Sequence, residues 1–235
     1  MAGPGVKSSY WRGLRDGLPF LLVIVPFATL FGVLASDAGL NAAEALAFSV
    51  AVIAGAAQFT ALQLMQDHAP LVVVLASSLA VNLRMAMYSA SLTPHLGHLP
   101  LWKRGIAAYF LIDQSYALGI IKFEKDRELS QAERFAYFIG TVSGICPFWY
   151  IFTVVGALVG SNIPMNTGLD FAMPIAFIAL VGPGLRTGAH MSAAFVASAS
   201  ALLFAFLPYN LGLLVAAVLG MAAGAEVERR WGAPA

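Results

Sequence analysis

Residues 17–36, GLPFLLVIVPFATLFGVLAS, carry no charge between Asp16 and Asp37 and decide the fold. The 20 residues of this run match the roughly 20 apolar residues, rising 1.5 Å each, that cross a hydrocarbon core about 30 Å thick. A second run, ALAFSVAVIAGAAQFTALQLMQ at 45–66, extends for 22 residues between Glu44 and Asp67. One such run could serve as a signal or an anchor; two in succession exceed the needs of either. Further along, 16 uncharged residues separate Asp67 from Arg84 and 18 separate Arg84 from Lys103. Runs of 35, 15 and 39 then divide Arg134, Asp170, Arg186 and Glu226. The chain has 235 residues, 60% hydrophobic and 11% charged, with a formal net charge of +1; a soluble domain carries about 25% charged residues. The expected fold is all-α, a polytopic transmembrane bundle of seven or eight spans with kinked or broken helices.

Composition removes several function classes. There is no basic arm or patch for nucleic acid. The single cysteine, Cys146, excludes an intramolecular disulfide and any multi-cysteine metal centre. His95 and His98 stand three apart beside prolines but lack a third ligand, so no metal site is assigned. No nucleophile elbow, zincin helix, Walker loop or dinucleotide-binding glycine pattern is present. The chain therefore reads as a non-enzyme without a cofactor, and active transport would draw on an ion gradient or a separate subunit.

The organisation follows from where the charges fall. Residues 1–16 form a short, mobile cytoplasmic lead, 17–225 one transmembrane domain, and 226–235 a cytoplasmic tail. The segment 122–134, KFEKDRELSQAER, holds eight charges and joins possible halves at 17–121 and 135–225. The Lys/Arg distribution places the lead, this loop and the tail on the cytoplasmic side of the membrane. Pro26 should kink or break the first span. The segment 69–102 is open to two readings: one interrupted helix over 69–92, or two half-spans meeting at Arg84. Later spans are expected at 105–121, 135–161, 171–186, 188–207 and 209–225. An internal repeat is hinted at by GLNAAEALAF (39–48) against GLDFAMPIAF (168–177), and by Pro19-Phe20 against Pro147-Phe148. Such repeats are frequent in transporters, and four spans per half would make this one parallel.

Ionisable residues inside spans are costly and are functional candidates by default. Arg84 lies about 15 residues into its span, roughly 22 Å from the cytoplasmic edge at 1.5 Å per residue. Asp113, on a span running the other way, falls roughly 17 Å from the same edge of a 30 Å core. The two depths allow an ion pair. Arg84, Tyr88 and Ser91 recur at helical spacing and share a face, as do Tyr109, Asp113 and Tyr116. Ser78, Asn82 and Ser89 form a neighbouring stripe. Gln58 follows the small residues Gly55-Ala56-Ala57. These faces suit a bundle interior or a wet cavity. A purely structural role, interhelical hydrogen bonding or a self-neutralising pair, is the competing reading. Arg186 reads best as a snorkelling residue at a span edge.

Three phrases carry a family resemblance: AGAAQF (54–59), VNLRMAMYSASLTP (81–94) and LIDQSY (111–116), with GLPF and PFATLFG in the first span. In this order and spacing they resemble the AzlC family, the large membrane subunits of branched-chain amino acid exporters. The resemblance implies efflux of hydrophobic amino acids from the cytoplasm together with a small AzlD-type membrane subunit. Its motif positions fall on Gln58, Asn82, Arg84, Tyr88 and Ser91 as substrate-binding residues and on Asp113 as the proton-coupling acid. The chain departs from the family pattern at Met85, where histidine is frequent, and at Gln114, where glutamate is frequent. The rival readings are a scaffold or channel-like subunit and, further off, an intramembrane lipid-acting enzyme.

Overall fold

The computed structural model describes residues 5–161, 185–207 and 211–231, and all regular structure among them is helical. The chain divides into two compact units, Met1–Phe59 with Val81–Thr167, and Thr60–Ala80 with Gly168–Ala235. In order, α1 is Val6–Gly17, α2 Leu21–Asp37, α3 Ala42–Ala51, α4 Gly55–Gln66, α5 Leu71–Asn82 and α6 Arg84–Leu96. Then come α7 Leu101–Tyr109, α8 Asp113–Lys125, α9 Gln131–Gly160, α10 Gly188–Leu203 and α11 Leu211–Trp231. Among the described residues, four helical stretches are long and apolar enough to cross a membrane: Val6–Asp37, Leu71–Leu96, Gln131–Gly160 and Leu211–Trp231.

The first unit is built on two long rods. A 3-10 turn at Leu18–Phe20 joins α1 to α2, and this 32-residue rod lies along the 30-residue α9. Glycines let the backbones touch. A side chain on Gly13 would strike the Tyr137 carbonyl, and one on Gly140 would strike the Tyr10 carbonyl. Farther along, Gly32 meets the Thr153 carbonyl and Gly156 the Thr29 carbonyl. Small residues permit this close approach where lipid offers no hydrophobic drive for helix association. The helix starts are also tied together: Glu133 accepts from the Gly5 N–H at 2.8 Å and from the Ser130 N–H at 2.9 Å. Ser130 returns the favour as the N-cap of α9, a capping box that satisfies otherwise orphaned amides.

The two rods run parallel, since contacts advance along both together. Their register is reciprocal: Gly13 meets Tyr137 and Thr141, while Gly140 meets Tyr10 and Leu14. Tyr10 and Tyr137, Gly13 and Gly140, and Leu14 and Thr141 each differ by 127 residues, so these contacts map onto one another as a local two-fold axis requires. Gly17 against Thr141 and Gly144 against Leu14 obey the same shift. This packing shift of 127 differs from the shifts of 128 and 129 that relate the similar sequence stretches.

Three expectations change. The lead is a helix, α1, with Ser9, Gly13 and Gly17 buried, because its small face fits α9. Pro26 does not break α2, which runs through it; a 3-10 turn containing Pro19 interrupts the rod before it. The span expected at 105–121 is two helices, α7 and α8, separated at 110–112. Within 69–102, Leu71–Leu96 is one 26-residue stretch interrupted at Leu83, with Pro94 carried inside α6.

In the second unit, α10 and α11 pair antiparallel. Gly220 lies against Ala193 and Ala197, and Gly224 against Ala189 and Ala193. Thr187 caps α10 by accepting from the His190 N–H. α11 runs six residues past the expected end at 225 and carries Glu226 paired with Arg229 and Arg230. The span expected at 171–186 lies almost wholly outside the described residues.

Candidate functional site

Three consecutive helix pairs are discontinuous, and the motif residues gather at the discontinuities. α3 stops at Ala51 and α4 restarts at Gly55; α5 stops at Asn82 and α6 restarts at Arg84; α7 stops at Tyr109 and α8 restarts at Asp113. Asn82, Arg84 and Asp113 are therefore helix-terminal residues, and Gln58 lies in the first turn of α4. Backbone that leaves the helix at membrane depth is tolerated only where protein or a polar cavity satisfies it. Broken helices of this kind form the binding sites of many transporters.

The α7–α8 break is held by Ser115, a residue with no exposed surface. Its hydroxyl accepts from the Ile112 N–H at 3.0 Å and lies 3.1 Å from the Phe110 carbonyl and 3.0 Å from the Ile112 carbonyl. This one side chain replaces helix hydrogen bonds lost at the break and aims Asp113 into the site. Sequence reading passed over it. The available signal was the polar run Asp113-Gln114-Ser115-Tyr116 in the middle of an apolar segment. Ser115→Ala should lower the thermal stability of the folded protein by about 1 kcal/mol, the usual scale for a lost cap. Ser115→Thr, which keeps the hydroxyl, should recover part of that loss. A melting temperature unchanged in the alanine variant would contradict the assignment.

α6 and α8 then close on one another through three successive contacts. Arg84 Nη2 and Asp113 Oδ2 lie 3.0 Å apart. The Tyr88 and Tyr116 rings stack with centroids 4.1 Å apart and planes 8° from parallel. Tyr116 donates to the Ser91 hydroxyl at 3.2 Å. Positions 84, 88 and 91 of one helix thus meet 113 and 116 of the other, in line with the expected faces. Tyr109 does not join them. The break rotates it away from Asp113, and its hydroxyl donates to the Val50 carbonyl at 2.7 Å near the C-terminus of α3.

The ion pair is single-stranded, and that leaves polar atoms open. Arg84 Nε, Asp113 Oδ1 and Asn82 Oδ1 are buried atoms without a hydrogen-bond partner. Buried polar groups are nearly always satisfied, so each of these exceptions calls for an explanation such as a ligand or water. Asp113 opens α8, where the macrodipole favours an anion.

Gln58 belongs to a different knot. Its amide donates to the Ser49 hydroxyl at 3.1 Å, and Ser49 is 3.1 Å from the Thr153 hydroxyl. All three residues have no exposed surface, and Gln58 Oε1 remains open. Around this knot Phe27, Phe31, Phe59 and Trp149 pack edge-on, tilted or stacked. Phe27 and Trp149 also fill the space above Gly55. The structure therefore joins Arg84, Tyr88, Ser91 and Asp113 in one contact network and ties Gln58 to another.

No group of three metal-ligating side chains occurs among the described residues, and His95 packs on the Phe123 ring. Comparison with known proteins supplies the family. The model described as AzlC protein matches residues 19–163. The chain belongs to the AzlC family. An Archaeoglobus fulgidus relative described as an "Uncharacterized membrane protein" is 30% identical over 91% of this chain and 94% of its own length. A Helicobacter pylori membrane protein is 29% identical over 73% of this chain and 75% of its own. The Escherichia coli inner membrane protein YgaZ is 25% identical over 76% and 74%. No solved structure matches. The AzlC match, which ends at residue 163, contains all three helix breaks and every residue of the ion-pair network.

Proposed function

We propose that this AzlC-family protein is the large subunit of an inner-membrane exporter that moves branched-chain or other hydrophobic amino acids out of the cytoplasm, driven by the proton gradient. The observation that carries this is the set of open atoms at the α5–α6 and α7–α8 breaks: one donor, Arg84 Nε, and two acceptors, Asp113 Oδ1 and Asn82 Oδ1. An α-amino acid zwitterion offers the complement, a carboxylate for the donor and an ammonium for the acceptors. Charge-assisted bonds of this type are the strong ones. The stacked Tyr88–Tyr116 pair provides an aromatic wall for an apolar side chain. Asp113 can hold a proton or an ammonium but not both, so exchange of one for the other couples substrate to protons. The protein acts as a carrier, not an enzyme, and works with a small AzlD-type membrane subunit.

The test is counterflow of labelled leucine in proteoliposomes containing both subunits under an imposed pH gradient. Leucine and valine should compete. Isoamylamine and 4-methylpentanoate each lack one charged end and should compete at least 100-fold less well, because each leaves a site group unpaired. Equal competition by 4-methylpentanoate would remove Asp113 as the ammonium partner. A wild-type complex that binds its small subunit but moves no amino acid would favour a scaffold.

A further inference from the structure

The buried knot at the α3–α4 break takes no part in the ion-pair network. Ser49 lies in the last turn of α3, Gln58 in the first turn of α4 and Thr153 on α9, so three helices each bring one neutral, oxygen-bearing side chain to a single point. Ser49 Oγ lies 3.1 Å from Thr153 Oγ1 and 3.1 Å from Gln58 Nε2. None of the three has exposed surface, and neither do Phe31 and Phe59, which pack with Phe27 and Trp149 around them. Among the described residues, no charged side chain hydrogen-bonds to the knot.

Gln58 is the informative residue. Its Nε2 is spent on Ser49, and its Oε1 is a buried acceptor with no partner. Leucine or methionine would fill similar space without stranding a carbonyl, so packing alone does not account for an amide here. Half a turn about the last side-chain bond exchanges the two ends of the amide. Either orientation leaves one end open, so the exchange costs little until a ligand chooses between them. With Oε1 turned toward Ser49, Gln58, Ser49 and Thr153 present a run of three neutral oxygens, neighbours about 3.1 Å apart. Oxygen sets replace the hydration shell of hard cations. With no carboxylate to offset a second charge, this set suits a monovalent ion, and its close spacing suits sodium better than the larger potassium. The non-helical backbone Val52–Ala54 adds main-chain carbonyls at the same break, and broken transporter helices hold sodium with such carbonyls. The α3 C-terminus favours a cation and the α4 N-terminus disfavours it by a similar partial charge, so the oxygens decide the occupant.

We propose that Gln58, Ser49 and Thr153 form a sodium site that ties α3, α4 and α9 together across the α3–α4 break, with Gln58 turning its carbonyl to the ion on binding. The ion supplies the charge that a carbonyl buried among aromatic rings lacks, and it stabilises the folded protein by mass action. The site is separate from the amino-acid site proposed above and leaves the proton role of Asp113 as it is. Sodium binds there whether or not the chain exports amino acids.

The experiment is sodium-dependent melting of the purified full-length protein in detergent, with choline chloride holding ionic strength constant. Sodium at about tenfold its Kd should raise the melting temperature by about 3 °C or more, and potassium should give less than half of that. The same protein should bind radioactive sodium, displaced by unlabelled sodium and not by choline. Thr153→Val, Ser49→Ala and Gln58→Met each remove one oxygen at little change of shape and should lose most of the sodium-induced shift. Thr153→Ser, which keeps the hydroxyl, should retain most of it. Each variant is its own reference, because the readout is the shift between choline and sodium, so a lower absolute stability does not obscure the result. A full shift in Thr153→Val overturns the proposal. So does a shift that disappears when gluconate replaces chloride at constant sodium, which would mark an anion site. Equal melting in sodium and choline also overturns it, and would leave a hydrogen-bonded knot with a bound water.

Discussion

Arg84→Ala and Asp113→Asn should each abolish leucine efflux, by 100-fold or more, whereas Arg84→Ala/Asp113→Ala should restore protein accumulation without restoring efflux. The Arg84–Asp113 contact is a single bond of 3.0 Å between side chains 28% and 37% exposed in the isolated chain. Inside a bilayer, removing one partner strands the other charge, and breaking a buried pair that way costs about 3–5 kcal/mol. Part of each single-variant effect is therefore misassembly. The double variant removes both charges and with them that penalty, so accumulation in the membrane should recover. If the pair were only a structural clip, efflux would recover in parallel. If Arg84 and Asp113 hold the substrate, efflux stays lost, and exchanging the two residues also fails because the substrate's charges would meet the wrong poles. Membrane accumulation by immunoblot and leucine efflux, measured on the same cells, separate these cases. Normal efflux in the double variant would end the site assignment.

Gly140→Leu and Gly156→Leu should leave almost no folded protein. Gly140 faces the Tyr10 carbonyl and Gly156 the Thr29 carbonyl closely enough that a Cβ alone collides with backbone. Overpacking against movable side chains costs about 1–3 kcal/mol; here neither rod can yield without parting from the other. The expected loss exceeds that range, and even alanine at Gly140 should lower the melting temperature. Gly105→Ala is the control, since it meets open space and gains helix propensity. Monodisperse elution of Gly140→Leu from a sizing column at the wild-type position would show that the rods do not pack as described.

Particular residues show how far sequence reasoning reached. Depth arithmetic from the span ends placed Arg84 and Asp113 at similar levels, and they meet. Helical spacing put Tyr88 and Ser91 on the Arg84 face and Tyr116 on the Asp113 face, and the three close a zipper. Tyr109 failed the same argument because spacing presumes an unbroken helix, and nothing like proline or glycine marks the break at 110–112. Ser115 holds that break with hydrogen bonds that depend on a backbone already out of helical register. The helix in the lead was hidden because its charges and glycines read as polar and irregular, while its buried face needs α9 to exist.

Sequence alone determined the solvent and singled out the charged pair. Charge scarcity and run length fix a membrane protein, since the cost of burying a charge in hydrocarbon does not depend on the fold, and Arg84 and Asp113 stood out as exceptions to that cost. The pattern of 54–59, 81–94 and 111–116 pointed to the AzlC family, which the comparisons then showed. Only the tertiary structure decided that the helices break at those motifs, that Gln58 belongs to Ser49 and Thr153 instead of to Arg84, and that the first rod lies parallel to α9. These are matters of which backbone touches which. They depend on missing side chains at glycines and on unmet hydrogen bonds at helix ends, and neither exists until distant segments are brought together.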